Sequence, residues 1–293
     1  MAPSKSIALL FVFVATHLAF AQGEPDTSAI NKRRLRTLII GSGVMYGATL
    51  VGLNELWYTN SPRQSFRFFN DNAEWQQVDK IGHFYSSFYF SYGVSRALRW
   101  SHVSPQRSDL VAALAGFLML VPIEIMDGYS AAYGASAGDL IADAAGPAFF
   151  LAQSLAWNEV RLYPKFSFHR TGFAPLRPHV LGNDAVSEFF KDYNGQTYWI
   201  SVDADKFFPF PKWLNIAVGY GAEGMVYARN QQNLDAGFDT YRQYYLSLDL
   251  DLTAIHTRSK ALKTLIFLAN MIKIPAPTLE FSRKGARFRS LFF

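Results

Sequence analysis

Hydrophobic and polar positions change their period once along the chain. Between about residues 37 and 160, apolar residues recur at helical spacing in four segments. These run from about Thr37 to Trp57, Trp75 to Trp100, Ser108 to Asp127 and Ala137 to Trp157. Pro122 is expected to kink or shorten the third. From about residue 195 onward the period falls to two. Along Arg242–Leu252 one face is Tyr244, Leu246, Leu248, Leu250 and Leu252, and the other is Gln243, Tyr245, Ser247, Asp249 and Asp251. Tyr198 to Asp203 and Leu214 to Gly221 read as strands, Ser259 to Met271 as a helix, and Leu279–Phe281 and Phe288–Phe293 as final strands. Residues 161–194 are rich in proline, glycine and polar turns and read as a connector. The expected class is α+β: an apolar bundle of about four helices over 37–160, then a strand-rich module over 195–293.

The N-terminus adds a compartment. Lys5 precedes the apolar run Ile7–Phe20, and Ala19-Phe20-Ala21 fits a small-x-small cleavage pattern, so residues 1–21 read as a secretory signal peptide. That run is shorter than the ~20 residues a bilayer span needs. A basic segment follows over 22–36, with Lys32, Arg33, Arg34 and Arg36; a second basic cluster is Arg283, Lys284, Arg287 and Arg289. Such clusters suit anionic headgroups or an ordinary solvated face. No nucleic-acid motif occurs. Half of the 293 residues are hydrophobic and 17% are charged, against a usual quarter, with a net charge of +5. There is no cysteine, hence no disulfide and no residue for a bacterial lipoprotein's lipid. The expectation is an exported protein associated with membrane lipid in a bacterial envelope, on the periplasmic side or at the outer membrane. The terminal Phe293 is the type of last residue outer-membrane barrels carry, yet only about five strands are visible and such barrels need at least eight.

Candidate chemistry sits in the helical half. Asp79 and Lys80 precede His83 on the second helix, Glu124 and Asp127 close the third, and Asp139 and Asp143 open the fourth. The spacings of three or four put each pair on one helix face. Three such faces could meet in one polar centre between helices. Buried acids need partners, and Lys80, His83 or a metal ion would serve; the residues themselves choose no metal and no cofactor. Asp79 and Asp139 could equally charge or cap the first turns of their helices.

In order and spacing, Asp79-Lys80-Ile81-Gly82-His83-Phe84, Glu124-x2-Asp127 and Ser136-x-Gly138-Asp139-x3-Asp143-x2-Gly146 resemble the YfiM-like family of predicted envelope proteins of unknown function. They are more distantly similar to VanZ-like membrane proteins. The resemblance covers roughly residues 75–150. Asp127 stands where VanZ-like proteins usually have Gln, and Asp143 where they have Asn. It implies an envelope protein without an assigned reaction. Two other expectations stand beside it. One is an envelope hydrolase or transferase for lipid-linked or phosphorylated substrates, with His83 as acid or base. The other is a subunit of an outer-membrane or secretion complex.

Overall fold

The computed structural model describes residues 29–58 and 61–293. The signal-peptide reading for residues 1–21 lies outside them. The class is α+β, with helices in the first half and a six-stranded antiparallel sheet in the second. The chain divides into two compact units. Among the described residues, one holds 29–58, 61–70, 86–158 and 257–268; the other holds 71–85, 159–256 and 269–293.

The first unit is helical. Helix α1 is Lys32–Leu53, α2 is Val78–Trp100 (residues 86 onward in this unit), α3 is Pro105–Leu118, α4 is Val121–Gly128 and α5 is Ala137–Trp157. The expected third segment is thus two helices. The break falls at Met119–Leu120, before Pro122, because proline fits the first turn of the helix that follows it. Asn31 caps α1 by accepting from the Arg34 amide, and Arg34 donates to the Trp100 carbonyl and lies 4.8 Å over the Trp100 ring.

Small polar residues share this unit's interior with a buried aromatic group, in which Phe88 packs on Tyr89 and Phe150. Ser87, Ser91 and Ser95 repeat every four residues on α2, and all three are buried. Gly116 of α3 packs so closely there that a Cβ would fall 2.8 Å from the Ser87 carbonyl oxygen. Asp109 of α3 accepts from Ser95 and Arg99, at 2.5 and 2.6 Å, and from Ser154 of α5, which ties three helices together. The outside is apolar: Ile39, Ile40 and Val44 of α1, Leu110 and Leu114 of α3, and Ile141 and Leu155 of α5 are all exposed. Helix α1, the Pro105–Gly128 stretch and α5 are long and apolar enough to cross a membrane.

The second unit is a meander: β1 Leu162–Phe168, β2 Gln196–Val202, β3 Leu214–Glu223, β4 Tyr241–Leu250, β5 Ala276–Ser282 and β6 Gly285–Phe292, each antiparallel to the next. Residues 161–194, read as a connector, carry β1 and the capped helix α6, Ala185–Lys191. The helix expected at Ser259–Met271 is α7, Lys260–Ala269, in the first unit apart from its last residue. The sheet curls on itself. Phe166 of β1 exchanges backbone hydrogen bonds with Met271 and Lys273, just ahead of β5. Phe292 of β6 stacks 4.8 Å from Tyr245 of β4 and lies 6.2 Å from Trp199 of β2. Beside that cluster the covered face holds a buried ion pair: the Lys165 ammonium lies 2.6 Å from Asp249 with both side chains fully covered. Lys165 also donates to the Leu250 carbonyl and to Asn270, and Asp249 accepts from Ser201 at 2.6 Å.

Candidate functional site

The seven candidate residues fall into two sets, one in each unit. In the second unit, Asp79, Lys80 and His83 occupy the first two turns of α2. Three residues with left-handed φ deliver the chain to that helix: Trp75 (47°), Gln76 (51°) and Gln77 (63°). Each such residue with a Cβ costs about 1–2 kcal/mol, so the turn persists only because its surroundings hold it. The Trp75 amide donates to the Ala228 carbonyl. Gln76 donates to Asn230 at 2.6 Å, and its carbonyl accepts from the Tyr220 hydroxyl at 2.5 Å. Arg242 donates to the Gln77 side chain. Sheet and loops thus fix the start of α2.

From that position Lys80 bridges two acids, 2.7 Å from Asp71 and 3.0 Å from Asp79. Burial pushes the Asp79 carboxyl above its ordinary range, and the Lys80 ammonium opposes the shift. Asp79 Oδ1 is buried with no hydrogen-bond partner among the described residues. Gly82, on the next turn, is required by close approach: a Cβ there would lie 2.8 Å from the Tyr198 hydroxyl. Burial raises the Tyr198 phenol, and the charge of Asp79 adds to that.

In the first unit, Ser136 links two acids. Its hydroxyl caps α5 by accepting from the Asp139 amide at 3.1 Å, and its own amide donates to Glu124 Oε2 at 2.9 Å. Carboxylate oxygens of Glu124 and Asp139 lie within 4.8 Å of each other. Both residues are buried, as is Asp143, one turn further along α5. Asp127 goes elsewhere: it accepts from the Tyr58 hydroxyl at 2.7 Å, and Tyr58 packs edge-on against Tyr133. Burial, then Asp127, raises the Tyr58 phenol. Asp139 is therefore both a first-turn acid of α5 and one of a close carboxylate pair.

Sequence reasoning missed Asp71, Tyr58 and Tyr198. Asp71 sits in a polar Asn-Asp-Asn turn that reads as ordinary loop. The tyrosines are two among 15, and nothing in their spacing marks them.

Comparison with known families supports an exported, envelope-associated protein. Residues 67–153, under a third of the chain, match the family described as predicted periplasmic lipoprotein (DUF2279). That segment contains all seven candidate residues and Asp71. The sequence has no cysteine to carry the lipid in that description. No curated protein and no solved structure matches the chain.

Proposed function

We propose that the protein is a membrane-associated envelope protein whose helical region carries one polar centre, formed by Asp79, Lys80, His83, Glu124, Asp139 and Asp143, with Asp127 bonded to Tyr58 instead. The YfiM-like and VanZ-like resemblance of its motifs belongs to the same reading. The observation that carries membrane association is the apolar outer surface of the helices. Serines and Asp109 lie inside, while aliphatic side chains on α1, α3 and α5 face out. A water-facing bundle would show the opposite arrangement, and small residues at close helix contacts are a habit of helices in lipid.

The common centre is supported by charge. Two buried carboxylates within 4.8 Å, Glu124 and Asp139, repel each other when both are charged, and a positive charge close by offsets that repulsion. The same matched segment supplies Lys80 and His83. Either the imidazolium or a divalent cation held by His83 and the acids would supply that charge.

A double-mutant cycle with His83→Ala and Glu124→Gln, read by urea unfolding in detergent, tests it. Coupling of about 1 kcal/mol or more is expected for residues sharing one centre. Additivity of the two changes would separate the sets and end the reading of a common centre. Elemental analysis of the same samples identifies the counter-charge: a stoichiometric divalent ion lost in both variants assigns it to a metal. Recovery of the wild-type protein in the cytosol of a Gram-negative host would overturn the envelope assignment.

A further inference from the structure

The sheet of the second unit is built inside out. In an antiparallel sheet with one covered face, the covered face is ordinarily apolar and the solvent face polar. Here the covered face carries Lys165, Ser201, Gln243, Ser247, Asp249 and Glu280, all buried beside a small cluster of Trp199, Ala217 and Tyr245. The uncovered face of β3–β6 is aliphatic and aromatic. Cross-strand register aligns Val218, Leu246, Leu279 and Phe288 in one continuous row across four strands. Their exposures are 51, 43, 41 and 67%. Tyr244 and Phe281 form the adjacent exposed row toward one end of the sheet, and Tyr220 beside them is covered by the Trp75–Gln77 turn.

The two ends are chemically marked. Beyond the Tyr244–Phe281 row stand Arg242 and the β5–β6 turn, with Arg283 paired to Asp239 and Lys284 3.8 Å over the Tyr241 ring. At the other end, Trp213 lies level with Asp251, the two joined by a backbone hydrogen bond, and Phe207 and Phe208 in the preceding loop are exposed. From Tyr244 to the level of Asp251 is about 24 Å along the strand, at 3.4 Å per residue. A polar interior, an outward apolar band of comparable height and aromatic side chains at both rims are the pattern of a sheet standing in lipid. Basic side chains just past an aromatic rim reach headgroup phosphates.

We infer that the outward face of β3–β6 is a lipid-contacting surface, immersed in bilayer hydrocarbon with its aromatic ends at headgroup level. The inference rests on the membrane association proposed above and extends it from helices to sheet. A second copy of the chain would also cover an apolar face. It would not call for aromatic rims at both ends or for a polar interior.

The native chain lacks cysteine, so single cysteines report position cleanly. The full chain would carry L246C, L279C or F288C on the outward face, S247C or T278C on the inward face, and V44C or L114C on the helices. Each would be labelled with an environment-sensitive fluorophore and reconstituted into phosphatidylethanolamine–phosphatidylglycerol vesicles with or without brominated acyl chains. Circular dichroism checks that each labelled chain is folded, and three outward positions guard against loss of any one. The expected result is loss of emission in brominated vesicles at 246, 279 and 288, none at 247 and 278, and loss at 44 and 114. Quenching at 44 and 114 without quenching at the outward strand positions overturns this inference and leaves the membrane reading intact. No quenching anywhere overturns both. Outward labels that are shielded but unquenched, and that cross-link chain to chain, assign the face to a second copy and overturn the lipid assignment.

Discussion

Removing Asp249 should be among the most damaging single changes in the sheet. The carboxylate lies 2.6 Å from Lys165 and 3.8 Å from Lys273, and all three side chains are fully covered. Lys165 has two further acceptors, the Leu250 carbonyl and Asn270, and Lys273 has the Ile274 carbonyl, so neither ammonium is left bare when Asp249 goes. What is lost is the compensating charge. Breaking a buried pair from one side typically costs about 3–5 kcal/mol, and with two ammonium groups facing one carboxylate the upper half of that range is expected for Asp249→Leu. Lys165→Met should cost less, since Lys273 still faces Asp249. The double variant should fall well short of the sum, with a coupling of about 2 kcal/mol, because it removes the pair rather than orphaning one member. Urea unfolding in detergent provides the assay, followed by tryptophan emission, because Trp199 lies 5.0 Å from the Lys273 ammonium. A cost below about 1 kcal/mol for Asp249→Leu, or strict additivity, would refute the view that this interior is held by charge.

Two further outcomes follow from the packing and titration described. Gly116→Val should lower stability by about 1–3 kcal/mol through overpacking, since its Cβ meets the Ser87 backbone, and Ser91→Ala should not restore the loss; thermal melting of both variants checks it. Asp79 has a folded-state pKa above its unfolded value, so the stability it contributes is complete below the unfolded value and is lost as pH rises through the raised one. The stability of Asp79→Asn relative to wild type should therefore increase as pH rises from the ordinary carboxylate range, and a flat or falling difference in urea midpoints would contradict the burial argument.

Local signals were legible where the cause is local. Helix α5 is announced by Ser136 and Asp139, whose cap forms as their spacing implies. Strand β4 is announced by its alternation, and Tyr244, Leu246 and Leu248 do share a face. Alternation gives the period of a strand but not which side is covered, so the outward direction of those leucines came only from the structure. Strand β1 was hidden for a related reason. Pro164 and Lys165 read as connector, and Lys165 is tolerated inside the sheet only because Asp249 arrives from a strand far along the chain. The left-handed turn at Trp75–Gln77 contains neither glycine nor asparagine, and the hydrogen bonds that hold it come from residues 220–242. Of the candidate acids, same-face spacing anticipated the burial of Glu124, Asp139 and Asp143. It did not anticipate that Asp127 would be bonded to Tyr58.

The compact units are interleaved along the polypeptide, since residues 71–85 belong with the sheet and 257–268 with the helices. No single scission yields either one whole. A fragment ending at Asn158 would lack α7 and would carry Asp79 and Lys80 without the strands that brace their turn. Limited proteolysis or split-gene complementation should accordingly give pieces that regain structure only when recombined. Ribosomal synthesis meets the same constraint: the sheet cannot close until Met271–Lys273 has emerged.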